Sequence, residues 1–183
     1  MKSDKLNIGC GTHVPADWVN LDIVSLPGVD VVHDIENLPL PFANDQFSEI
    51  LCQDVLEHVE YIPVLRDLRR ILKPGGKLTI RVPHFTSKHN FIDPTHRKLF
   101  SVETFGFFVK NSFAQEGRGY YFDFAFSQCA QARITFERGS VVFFLNPLLE
   151  KWVNSSPRWQ KFYESTGFSR LFPAYNIEVT LVK

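Results

Sequence analysis

Short apolar runs alternate with polar connections along the first half of the chain. Runs at 6–9, 19–23, 29–35, 49–53 and 77–83 carry aliphatic and β-branched residues bounded by Gly, Pro, Asn and Asp, the pattern of strands. Between the last two, Val64, Leu65, Leu68, Ile71 and Leu72 recur at helical spacing while Arg66, Arg69 and Arg70 fall on the opposite face, which predicts a helix over 63–72. Lys73-Pro74-Gly75-Gly76 stops it, because proline cannot continue a helix and glycine supplies the turn. Strands alternating with helices call for a parallel sheet. Only seven residues, 12–18, separate Gly11 from the second strand. A parallel crossover takes about a dozen or more, so the first helix should shrink to about one turn, beginning at Pro15.

The pattern breaks after Pro83. Residues 84–127 are aromatic and rich in loop formers, with Gly117-Arg118-Gly119 as the most flexible point. Strand-like runs return at 132–138 and 177–182, with helices expected around 145–153 and 158–165. There is no internal repeat and no low-complexity segment.

Composition narrows the class. A chain of 183 residues with 44% hydrophobic content suits one domain with a full core, in three parts: 1–84, 85–131 and 132–183. Lys+Arg and Asp+Glu balance at 20 each, so no global basic field attracts nucleic acid or anionic lipid. No apolar run approaches membrane-spanning length, and Met1-Lys2-Ser3-Asp4-Lys5 leads straight into a strand with no signal-peptide apolar stretch. A cytoplasmic protein without a membrane partner is expected. Cys10, Cys52 and Cys129 are widely spaced and odd in number, which supports neither a disulfide framework nor a C-x-x-C zinc site. Cys10 and Cys52 read as small buried hydrophobes.

The chemistry begins at Leu6-Asn7-Ile8-Gly9-Cys10-Gly11-Thr12, a strand running into two glycines one residue apart. Bare backbone at Gly9 and Gly11 lets a ligand lie close. Asp22, ending the next apolar run, can accept hydrogen bonds from a ribose diol, or cap a turn. The third glycine of the dinucleotide pattern is absent, since His13 and Val14 stand near its place. That favours a nucleoside over a nicotinamide dinucleotide and leaves an oxidoreductase as an outsider.

Asn20-Leu21-Asp22, His33-Asp34-Ile35, Leu38-Pro39-Leu40-Pro41-Phe42, Asp45-Gln46-Phe47, Asp54-Val55-Leu56-Glu57-His58-Val59 and Leu72-Lys73-Pro74-Gly75-Gly76-Lys77-Leu78 follow the glycine motif in order. In this series the chain resembles class I S-adenosylmethionine-dependent methyltransferases, and most closely a compact type 11 domain with a shortened first helix. The resemblance covers residues 5–84 closely and the rest loosely. It implies an α/β Rossmann-like fold: a seven-stranded, mostly parallel sheet of order 3-2-1-4-5-7-6, the last pair antiparallel, with helices on both faces. It also implies S-adenosylmethionine as cofactor. The methionine part would lie against Gly9, Cys10 and Gly11, the ribose on Asp22, and the adenine between Asp34 and Ile35, while Gln53 and Asp54 line the methionine end. For Asp34 the competing reading is a turn cap before Glu36-Asn37. Glu57-His58 reads first as a structural pair, with His58 as a general base the runner-up.

Residues 84–98 pack His84, His89, His96, Asp93, Arg97 and Lys98 just past the fifth strand, the edge where open parallel sheets bind ligands. Three readings stand. The stretch is an acceptor site with His84 or His96 as base and Asp93, Arg97 or Lys98 holding the acceptor. It is a metal site built on His84, His89, Asp93 and His96. Or it is a solvated loop in which Asp93 caps a helix begun by Pro94. Methyl transfer from a sulfonium needs alignment and, for an oxygen acceptor, proton removal, so no metal is required. The aromatics from Phe100 to Phe126 read mainly as core, and otherwise as a lid over the acceptor or a homodimer face. Residues 112–121 are expected to be mobile and to close over the acceptor. Trp152, Trp159 and Tyr163 read as packing. The functions in view are therefore a methyltransferase for a small-molecule or glycan acceptor, at oxygen or nitrogen, and a non-catalytic nucleoside-binding or regulatory protein of the same fold.

Overall fold

The computed structural model describes residues 3–138 and 144–183; Met1, Lys2 and residues 139–143, which the expected single domain includes, lie outside the described residues. Seven strands, β1 (Lys5–Ile8), β2 (Val19–Asp22), β3 (Val31–Val32), β4 (Phe47–Gln53), β5 (Leu72–Pro83), β6 (Gln128–Ile134) and β7 (Asn176–Val182), form one sheet of order β3-β2-β1-β4-β5-β7-β6. The pairs from β3 through β5 are parallel, and β7 runs antiparallel to both β5 and β6. This is the expected order. Leu78, Ile80 and Val82 on β5 and Ile177, Val179 and Leu181 on β7 are all buried, with Thr79, Arg81, Glu178 and Thr180 alternating between them. That period-2 alternation turns one face of each strand into the core.

Helix α1 (Tyr61–Ile71) buries Val64, Leu65, Leu68 and Ile71, the stripe read from the spacing. Lys73-Pro74-Gly75-Gly76 stops it as expected, but not as a free turn. Phe47 pairs with Leu72 and Glu49 with Lys77, so those four residues bulge out within β5. The connection from β1 to β2 is a turn closed by Trp18 N–H donating to Pro15 O at 3.2 Å. Two buried amide side chains hold it: Asn7 Nδ2 donates to His13 O at 2.8 Å and Asn20 Nδ2 to Pro15 O at 3.2 Å. They satisfy carbonyls that a crossover helix would have paired internally.

Two strands differ from expectation. Of the run at 29–35 only Val31–Val32 pairs, at the sheet edge. β6 begins at Gln128 and ends at Ile134 rather than spanning 132–138. Its first four residues are exposed, so they show no apolar alternation to read. Beyond β5 come α2 (His89–Ile92) and a 3-10 turn at Thr104–Phe108. Phe100, Phe105, Phe108, Phe124 and Phe126 are buried and join the core, as the bland reading of the aromatic stretch held. Helices α3 (Asn146–Val153), α4 (Pro157–Ser165) and α5 (Phe168–Leu171) precede β7. Trp152 packs on Trp159 at 5.0 Å between centroids and Tyr163 is fully buried, so these aromatics are packing.

Candidate functional site

β1 and β4 are hydrogen-bonded neighbours, yet the chain leaves β1 toward β2 on one side and leaves β4 toward β5 on the other. The loops after the two strands therefore part and open a crevice at the carboxyl edge, the switch point where such sheets hold ligands. Gly9 and Gly11 lie in the first loop, with φ of 62° and 50°. Their reasons for being glycine differ. A Cβ on Gly9 would fall 2.3 Å from Val55 Cγ2, so Gly9 is small to admit the loop after β4. A Cβ on Gly11 would meet nothing within 4 Å, so the space above it is open. At the end of β2, Asp22 Oδ2 accepts from Gly11 N–H at 2.8 Å and Oδ1 from Val24 N–H at 3.0 Å. Cys10 lies between, its N–H on Leu21 O at 3.1 Å and its thiol pushed up by burial.

Farther along this edge, Asp34 is exposed and its Oδ1 accepts from Glu36 N–H at 2.9 Å, the turn cap weighed against an adenine contact. Ile35 is 8% exposed and packs in the core. Gln53 ends β4, half-buried. Asp54 has a left-handed backbone (φ 55°), and the Arg81 guanidinium grips both its carboxylate oxygens, Nε to Oδ1 at 3.0 Å. Its charge is thus already matched by a cation on β5.

The next turn, Leu56–His58, brings together what the sequence keeps 38 residues apart. His58 and His96 stack edge-on with centroids 4.7 Å apart. Glu57 is fully buried and neither carboxylate oxygen has a hydrogen-bond partner; burial pushes its carboxyl up to about 7. His96 Nδ1 is likewise buried and unpartnered, and burial together with neighbouring His58 lowers the imidazole's pKa. Thr95 Oγ1 donates to Asp93 Oδ1 at 2.6 Å and sits 2.8 Å from His58 Nδ1, so the hydroxyl's one proton is committed and His58 Nδ1–H donates to it. The Thr95 hydroxyl and amide hold the Asp93 carboxyl below its ordinary value. Asp93 thus closes a turn around Thr95, not the N-terminus of a helix begun at Pro94. The Arg97 and Lys98 amides both donate to Glu57 O, at 2.8 and 3.2 Å, tying the 93–98 loop to the 56–58 turn. Arg97 is exposed, and Lys98 pairs with Glu60 at 2.6 Å.

His84 does not belong to this group. It is fully buried, with Nε2 3.0 Å from Glu164 Oε1 on α4, and Nδ1 accepting from Thr86 N–H at 3.1 Å. Both ring nitrogens are spent in the core, which removes His84 as a base at the edge. His89 packs against Tyr175 at 4.9 Å, so the metal set of His84, His89, Asp93 and His96 is not assembled. The residue that sequence reading undervalued is Glu57. The adjacent Glu57-His58 pair was visible, but that the carboxyl is buried and turned toward a histidine from another loop was not.

Residues 6–80 match the model of the methyltransferase domain family. An uncharacterized protein of Methanocaldococcus jannaschii is 37% identical over 84 residues, 41% of this chain and 37% of that one, so the match spans little more than a third of the relative's length. A methyltransferase from Archaeoglobus fulgidus, titled as dependent on S-adenosylmethionine, superposes with a TM-score of 0.59 at 19% identity over 98% of this chain and 85% of its own. A Thermotoga maritima protein, titled a possible histamine N-methyltransferase, gives 0.58 at 16% identity, over 98% and 81%. These solved structures share the fold.

Proposed function

We infer, for a chain whose residues 6–80 match the methyltransferase domain family, that the protein is a class I S-adenosylmethionine-dependent methyltransferase acting at oxygen or nitrogen on a small-molecule or glycan acceptor. The observation that carries this is the pairing of Asp22 with Gly11 N–H at the switch point, beside open space above Gly11. The ordered carboxylate keeps free lone pairs for a ribose diol, and the bare glycine leaves room beside it, so these residues fit the cofactor. S-adenosylmethionine supplies a methyl group on a sulfonium. Gly9, Cys10 and Gly11 offer backbone to it, Asp22 the ribose contact, exposed Asp34 the adenine side, and Gln53 with Asp54 the methionine end. The acceptor lies by the 93–98 loop, where Asp93 and exposed Arg97 can hold polar or anionic groups. Lys98 contributes once released from Glu60. An acceptor O–H or N–H must lose its proton, and the cluster at His58 and His96 stands at the right edge to assist that loss.

Calorimetry with S-adenosylmethionine, S-adenosylhomocysteine and NAD tests the binding half. The first two should bind and NAD should not. Asp22→Ala should weaken S-adenosylhomocysteine about ten- to a hundredfold, the loss of charge-assisted hydrogen bonds; unchanged affinity would overturn the assignment. Arg97→Ala should lower turnover on an acceptor panel with S-adenosylhomocysteine affinity intact. Binding without turnover on any acceptor would favour the second reading, a nucleoside-binding regulator, which the one-turn connection between β1 and β2 supports.

A further inference from the structure

We propose that Glu57, His58 and His96 are the ligands of a divalent transition-metal ion, with its remaining positions left for solvent or an acceptor oxygen. One donor atom from each lies within 4.8 Å of the other two. Donors on a shared ion sit about 2.0–2.2 Å from it and hence roughly 3–4 Å apart, so a small inward movement closes the set. Four buried side-chain polar atoms have no partner among the described residues, and three of them are here: both Glu57 oxygens and His96 Nδ1. Buried polar atoms are ordinarily paired; one cation would satisfy all three.

The surroundings suit metal ligation. With Nδ1–H given to Thr95 Oγ1, His58 keeps its lone pair on Nε2, the atom free to coordinate. Thr95 passes that bond on to Asp93, and Asp93 Oδ2 lies 3.7 Å from His96 Nε2. A carboxylate behind two imidazoles is the outer support that orients histidine ligands. Nearby cations are already matched, Arg81 by Asp54 and Lys98 by Glu60. Two imidazoles and one carboxylate favour zinc, ferrous iron or cobalt over magnesium or calcium. The ion's role, though not its binding, rests on the methyl-transfer reading. In that reading it makes the acceptor hydroxyl acidic, so that its proton passes to solvent while the imidazoles hold the ion.

The test is titration of the chelator-stripped full chain with Co²⁺ and Zn²⁺, followed by calorimetry and visible absorption, with Mg²⁺ for comparison. One equivalent of Co²⁺ should bind without a thiolate-to-cobalt charge-transfer band, Zn²⁺ should displace it, and Mg²⁺ should not. Thr95→Ala should weaken binding about ten- to a hundredfold and Glu57→Gln by more, while Cys129→Ser should change nothing. A folded protein that takes up neither ion, as it would if a water bridged these atoms, overturns the site. So does uptake unchanged in both Thr95→Ala and Glu57→Gln. S-adenosylhomocysteine binding without metal uptake would remove the metal site and leave the methyltransferase; the converse would leave the site and remove that reading.

Discussion

Gly9 and Gly11 are the same residue in the same loop, with the same sign of φ, and yet they answer to different demands. An alanine at Gly9 would add left-handed strain and drive its Cβ into Val55, costing about 2–4 kcal/mol of stability. At Gly11 only the strain applies, about 1–2 kcal/mol, and the larger effect should be on S-adenosylhomocysteine affinity. Denaturant midpoints and calorimetry on the two variants separate these outcomes, and equal loss of affinity from both would merge the roles. The spacing of the two glycines was legible in the sequence, as was Asp22 at the end of a strand. That Gly9 faces a valine 46 positions later was not, because a glycine's neighbour is set by how two loops cross. Ile35 shows the same limit: an apolar residue after Asp34 is compatible with ligand or core, and burial decides.

At the scale of elements, α4 and the stretch after β5 are locked by Glu164. Besides His84, its carboxylate accepts from Ser101 Oγ at 2.6 Å and from Val102 N–H at 2.8 Å. Glu164→Ala would strand these buried donors and should cost about 3–5 kcal/mol in urea denaturation. Glu164→Gln, which keeps an acceptor oxygen, should cost about 1–2 kcal/mol. Equal, small losses would mean that the pair is not holding the loop. The segment 112–121 has the opposite character. Phe113 and Tyr120 are each 79% exposed, and Ser112 Oγ anchors its start on Gly106 O. Its amides should exchange fast in the free protein and slow when cofactor and acceptor are both present; protection without ligand would make it a fixed loop. Helix α1 was legible because its stripe faces one core. β6 was misplaced by four residues at each end because an edge strand with an exposed start carries no alternation, and His84 passed for a catalytic base because its partner comes 80 residues later.

The whole molecule divides by distance along the chain. The glycine loop and Asp22, the cofactor part of the candidate site, are assembled from β1, β2 and β4 within the first third, while the 93–98 loop joins from beyond β5; no described helix is long and apolar enough to cross a membrane. β7 stands apart, since it runs antiparallel to both neighbours and Thr180 lies opposite Thr79, 101 residues earlier. A pairing that must close so long a loop forms late, because its entropy is lost before its contacts are gained. During refolding β5 therefore waits as an open edge with Leu78, Ile80 and Val82 already poised for burial, a template for another chain's strand. Refolding yield should fall as protein concentration rises, and in pulse-labelled exchange the β5 amides that face β7 should gain protection after those of β1. The antiparallel strand wedged into the sheet thus sets the protein's kinetic weak point.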